Sequence, residues 1–198
     1  MMFSPEREWH LLFGELPLGG PRVYLDNATA TGYLGRALAR RLSTAQTPFV
    51  VIANDLSLPM LRRAVALARR EGVADRMLFI HAASESLPIR TGAIDGILCG
   101  GTLNEFSDSD RVFREWSRLL SPGGAVSVML QTLATGWRGW LQRHVGGIIG
   151  LTIEPVQRTL ERFDKVFHRR RGSSFGPILF MSGGRRASST VAYPTQAA

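Results

Sequence analysis

Two hydrophobic periodicities alternate along the chain: short apolar runs of strand type and longer stripes of helical type. The run Val23, Tyr24, Leu25 ends at Asp26, and a helical pattern follows from Gly32 to Leu42. Residues 49–53 predict a buried strand closing at Asp55. Ser57, with Pro59 close behind, predicts the start of a helix that runs to about Glu71. Residues 77–80 and 94–99 predict a third and a fourth strand. Residues 107–110, Ser-Asp-Ser-Asp, predict the cap of a helix reaching Leu120, and Ser121, Pro122, Gly123 and Gly124 a break before a fifth strand at 125–130. Strands alternating with helices of this length imply parallel βαβ units, hence an α/β, doubly wound sheet.

The pattern changes toward the end of the chain. Residues 153–163 read as a helix, and 165–168 and 177–181 as strands separated by a loop over 169–176. Such a pair predicts an antiparallel carboxy-terminal hairpin added to one edge of a mostly parallel sheet. Residues 187–198 lack apolar periodicity and are expected to form a loose tail behind a single domain over 1–186.

A length of 198 residues suits one domain with its own core, and 44% hydrophobic with 20% charged residues excludes a wholly disordered chain. No apolar run approaches the roughly 18–20 residues of a membrane-spanning helix. The amino terminus is charged where a secretory signal turns apolar. The single cysteine, Cys99, can form neither an internal disulfide nor a cysteine metal site, so a cytoplasmic setting is expected. His10, His81, His144 and His168 show no ligand spacing, so no metal is expected.

The net charge of +8 is unevenly placed. Residues 1–134 carry 14 basic and 13 acidic side chains, whereas 135–198 carry 10 and 3. The excess is a basic face of the carboxy-terminal third.

In an open parallel sheet, ligands bind outside the carboxyl ends of the strands near the topological switch point. The turn after the first strand, Asp26 to Gly32, is built of small residues, which lets a ligand approach the backbone. Asp55, closing the second strand, is placed to accept hydrogen bonds from both hydroxyls of a ribose. An alternative for Asp26 is a cap on the following helix, and for Asp55 a turn residue before Ser57. Cys99 reads as a small buried hydrophobe.

With YLDNATATGYLGRALAR, VVIANDLSLPMLRRA, FIHAASESLPI and AIDGILCGGTLNEF followed by LLSPGGAVSVML, residues 22–131 resemble the class I S-adenosylmethionine-dependent methyltransferases. The likeness is to the small-molecule branch that includes quinone-biosynthesis enzymes. The resemblance implies a seven-stranded Rossmann-like sheet with its last strand antiparallel, and S-adenosylmethionine held by Asp26, Ala28, Ala30, Gly32, Asp55, Leu56, Ala83, Ser84 and Gly100. Two departures stand out. Ala28 and Ala30 occupy positions of the family's glycine-rich turn, and Ala83 stands where an aspartate commonly meets the adenine amino group, leaving Ser84 or a backbone carbonyl for that contact. They imply a retained but weakened pocket.

The resemblance also places Asn104 and Glu105 just beyond the fourth strand at the transfer site. Glu105 is then a candidate base and Asn104 an orienting group; the alternative is that both cap the loop before the next helix. His10 is a third catalytic candidate, because amino-terminal segments cover this pocket in the family. The family's nucleic-acid amino-methylating members carry an Asn/Asp-Pro-Pro-aromatic tetrad after the fourth strand. CGGTLNEF stands here instead, so no nucleic-acid partner is expected.

Three activities remain open. They are methyl transfer to a small, largely apolar or aromatic acceptor on oxygen or carbon, non-methylating chemistry such as a cyclisation, and a catalytically silent binding role. Residues 135–151 place Trp137, Trp140, Leu141, Val145, Ile148 and Ile149 on one helical face, expected as a lid over the acceptor. The basic third suggests that this lid rests on anionic lipid at the inner membrane face. Oligomeric state is not legible.

Overall fold

The structure, a computed structural model, describes residues 5–45, 48–131, 156–175 and 178–185. The predicted sheet is present. Strands β1 (Arg22–Asn27), β2 (Phe49–Asp55), β3 (Met77–His81), β4 (Ile94–Gly100), β5 (Leu120–Gln131), β6 (Phe167–Phe175) and β7 (Ile178–Arg185) form one seven-stranded sheet. Its order is β3-β2-β1-β4-β5-β7-β6. The first five strands are parallel, whereas β7 runs antiparallel to both β5 and β6. The helices are α1 (Pro5–Phe13), α2 (Tyr33–Ser43), α3 (Leu58–Arg70), α4 (Ser109–Leu119) and α5 (Val156–Val166).

Alternation along the strands sends successive side chains to opposite faces, and each face has its own core. Leu25, Ile97, Cys99, Val126 and Val128 pack with Val112, Phe113 and Trp116 of α4 and Phe163 of α5. Tyr24, Val51, Leu98 and Phe180 pack with Leu12 and Phe13 of α1 and Leu34 and Leu38 of α2. The sheet is thus covered on both sides, as the continuous apolar reading of its central strands requires. Phe113, Phe163 and Phe167, with ring centroids 4.8–6.0 Å apart, bind α4, α5 and the start of β6 together.

Three elements differ from their sequence reading. Helix α1 is new: its stripe Trp9, Leu12 and Phe13 is too short for periodicity alone to reveal. Ser121, Pro122, Gly123 and Gly124 do not break the sheet but form an irregularity inside β5, where pairing to β4 jumps from Leu120 to Ala125 and Gly123 takes a φ of 82°. Residues 169–175, expected as a loop, continue β6, and Lys165 with Val166 belongs to α5 instead. Arginine, glycine and serine suit β6 because it is an edge strand with one side open to water. The expected lid at 135–151 and tail at 187–198 lie outside the described residues.

Candidate active site

Strand β1 lies between β2 and β4, so the chain's winding reverses at the β1–β4 junction. The carboxyl ends of these strands are level: Asn27 pairs with Asn54, Asp55 with His81 and Gly100 with Met129. This brings the turn after β1, the loop after β2, the 82–86 segment and the loop after β4 to one rim.

The turn is left-handed at three alternate residues: Ala28 (φ 53°), Ala30 (φ 47°) and Gly32 (φ 79°). Glycine adopts this region without steric cost, whereas each alanine costs about 1–2 kcal/mol there. The neighbours hold it in place. Thr29 N–H donates to the Asn54 carbonyl at 2.9 Å, Gly32 N–H to the Thr29 carbonyl at 2.7 Å, and Ala30 N–H to Asp55 Oδ2 at 2.7 Å. Asp55 Oδ1 also accepts from Ser57 N–H at 2.8 Å, so the turn reading of Asp55 holds. A carboxylate offers about four lone-pair positions, and two remain.

Asp26 is almost fully buried and serves the helix. Its Oδ2 accepts from Gly35 N–H at 2.8 Å, in the first turn of α2, and from the Thr29 hydroxyl. The helix-cap reading of Asp26 is therefore realised, from a neighbouring strand and not from the residue preceding the helix. Gly35 permits this approach, because a Cβ there would sit 2.8 Å from Asp26 Oδ2. Burial pushes the Asp26 carboxyl up to about 6, against the pull of its two hydrogen bonds, and the charge of Asp55 adds to the rise.

The loop after β4 is stitched to β5. Gly101 N–H donates to the Met129 carbonyl at 2.7 Å and Asn104 Nδ2 to the Gln131 carbonyl at 2.8 Å. Glu105 is exposed at the end of the 3-10 turn Leu103–Glu105, and no hydrogen bond ties its carboxylate among the described residues. Neither residue caps α4. Asp108 does, its Oδ1 accepting from Arg111 N–H at 2.9 Å. Gly100 closes β4 against α2, since a Cβ there would meet Leu34 Cδ1 at 2.6 Å.

Leu56 is 72% exposed beside Asp55, while Ser84 is buried and Ala83 half-buried. His10 is exposed on α1, and its carbonyl accepts from Arg171 of the edge strand β6 at 3.3 Å; no contact joins its side chain to Asn104 or Glu105 among the described residues. Cys99 is fully buried, burial pushes its thiol up to about 12, and its Sγ lies 3.4 Å from Thr102 Oγ1.

Several residues of the rim escaped the sequence reading. Arg36, buried in α2, donates through Nε to the Thr31 carbonyl at 3.3 Å and pairs through Nη1 with Glu71, which also takes Arg40. It ties the turn to the end of α3. Asn27 and Asn54 are fully buried at paired strand ends, and the Asn27 amide is unpartnered among the described residues. A polar residue at the close of an apolar strand was the available signal for both.

The donor set fits a nucleoside. A carboxylate with two unused lone-pair positions stands beside a turn whose backbone already has the shape that a glycine-rich sequence takes, next to an exposed leucine and an orphaned buried amide. Sheet order, turn and acid define an α/β domain of the doubly wound class with its candidate ligand rim at the topological switch point.

Residues 25–124 match the model of the methyltransferase domain family, and the chain belongs to that family. It is 32% identical over 160 residues to a ubiquinone/menaquinone biosynthesis C-methyltransferase of Syntrophotalea carbinolica, covering 75% of this chain and 65% of that protein. A demethylmenaquinone methyltransferase of Lactiplantibacillus plantarum is 33% identical over 127 residues, 64% of this chain and 52% of its own length. The chain thus spans less than two thirds of each of these relatives. Among solved structures, geranyl diphosphate C-methyltransferase from Streptomyces coelicolor A3(2) superposes with a TM-score of 0.76 at 14% identity, over 91% of this chain and 80% of that one. The (4+2)-cyclase SpnF gives a TM-score of 0.70 at 26% identity, over 85% and 58%.

Proposed function

We propose that the protein binds S-adenosylmethionine across the turn from Asp26 to Gly32 and transfers its methyl group to a small, largely apolar acceptor. The observation that carries this reading is the left-handed turn clamped to Asp55. Family membership and the C-methyltransferases among its relatives support it.

Bound S-adenosylmethionine would supply a methyl group on a positively charged sulfur. Asp55 would hold the ribose hydroxyls on its unused lone pairs, and Leu56, exposed beside it, would pack on the adenine. Ser84, with Ala83 beside it, would stand in for a missing acid toward the adenine amino group. Ala28, Ala30 and Gly32 would let the backbone of the turn approach the cofactor, while Gly100, whose lack of a Cβ admits Leu34, would keep α2 packed against the site. Asp26 acts indirectly, by holding the first turn of α2. Glu105, untied and exposed, removes the acceptor's proton, while Asn104, anchored to the end of β5, keeps its amide oxygen for orientation. His10, exposed on α1, would serve an acceptor that reaches α1. The names of the relatives favour carbon as the acceptor atom. The basic carboxy-terminal third holds the open pocket against anionic lipid, where apolar acceptors concentrate.

Cyclisation without methyl transfer is the second reading. It is favoured by the two alanines in the turn and by the 26% identity to a cyclase.

Calorimetry with S-adenosylmethionine and S-adenosylhomocysteine tests the placement. Asp55→Ala removes two ribose hydrogen bonds, together about 1–3 kcal/mol, and should weaken binding roughly five- to 150-fold. An unchanged dissociation constant rejects the site.

A further inference from the structure

Helices α1 and α2 leave between them a groove of about 400 Å³, within the range of small-molecule sites. Trp9, Phe13, Leu34 and Ala37 form its walls, with Trp9 stacked on Phe13 at a centroid distance of 4.1 Å. The contributing residues recur from Tyr33 of α2 to its C-cap Thr44 along one helix face, which at 1.5 Å per residue gives a trough roughly 16 Å long.

Among the described residues its charged lining is of one sign: Arg40 and Arg41 stand at the rim and no acid lines the groove. Arg40 is committed to Glu71. Arg41 has no carboxylate partner among the described residues, and its guanidinium lies 5.6 Å above the Trp9 ring, held over the apolar floor by cation–π attraction.

A narrow apolar trough ending at an arginine without a carboxylate partner complements a molecule with one aliphatic chain and an acidic head. We propose that the α1–α2 groove binds a single-chain aliphatic acid as a soluble monomer. Its chain lies along Ala37 and Leu34, and its carboxylate meets the Arg41 fork. The proposal does not depend on the methyltransferase reading: Leu34 packs against Gly100, but none of the groove residues hydrogen-bonds Asp55 among the described residues, so Asp55→Ala tests that reading with the groove lining unchanged.

Titration calorimetry of the full chain with decanoate and with 1-decanol tests it. Decanoate should bind about tenfold tighter than the alcohol, the worth of a charge-assisted hydrogen bond. Arg41→Gln should remove that difference and leave the alcohol unchanged. Ala37→Phe, which fills the trough from the half-exposed face of α2, should abolish both; if that variant does not fold, the smaller Ala37→Leu narrows the same stretch and should weaken both. Equal affinity for acid and alcohol overturns the proposal, as does binding that survives the filled trough. So does binding to phosphatidylglycerol vesicles in place of monomeric decanoate.

Discussion

Glycine in place of Ala28 or Ala30 should make this protein more stable, against the usual direction of that substitution. Both alanines are left-handed, at φ 53° and 47°, and each is held there at about 1–2 kcal/mol. Glycine removes that strain but gives the unfolded chain about 0.4–1 kcal/mol more entropy to lose. The net gain is about 0.5–1 kcal/mol per site. Two residues apart on one turn, the sites share partners, so the double variant should gain at most the strict sum of about 1–2 kcal/mol. For a chain of this size that corresponds to a rise of roughly 2–8 °C in Tm. Urea unfolding gives the assay: the midpoint should rise with an unchanged slope. Ala66→Gly, exposed inside α3, is the control and should lose about 0.8–1 kcal/mol. If either turn variant falls in stability as the control does, the alanines are not strained and the departure from a glycine-rich turn has another cause.

Asp26 links stability to pH. Its carboxyl is raised from 3.8 to about 6, so the native state holds the proton more tightly than the unfolded chain. The stability it contributes is complete below pH 4 and falls by about 3 kcal/mol as pH rises through 6. Asp26→Asn keeps an acceptor for Gly35 and Thr29 without the charge. Urea melts from pH 4 to 7.5 should therefore show the variant overtaking the parent above pH 6, and parallel profiles would refute this. Membrane attachment predicts co-sedimentation with phosphatidylglycerol vesicles at low salt, lost at high salt and never seen with neutral vesicles; negligible binding to both kinds ends that reading.

The strand order and the acid of β2 were legible because they rest on runs of buried apolar residues interrupted at set places. What was hidden follows from physics that periodicity does not carry. Asp26 caps a helix that begins seven residues later, through space, so no local capping pattern marks it. Asn104 reaches the end of β5, a contact 27 residues away in sequence. Residues 169–175 look like a loop because an edge strand has no need of apolar residues on its open side. Helix α1 has an apolar stripe of only a few residues, and its burial against Tyr24, Leu38 and Phe180 is what makes it a helix in this chain.

The sheet order also carries a consequence for synthesis. The last of the described strands to be made, β7, is not an edge: it sits between β5 and β6. While the ribosome is still producing β7, β5 has an open hydrogen-bonding edge, with Val126, Val128 and Leu130 on its faces, and β6 has no partner among the described strands. The parallel half can assemble as it emerges, but its border closes only when residues 178–185 arrive. Until then the nascent chain presents an unpaired apolar strand, the kind of edge that recruits other chains. A stop shortly before those eight residues would leave the rim intact and the sheet unsealed, so a fragment ending there should aggregate although its candidate site is complete.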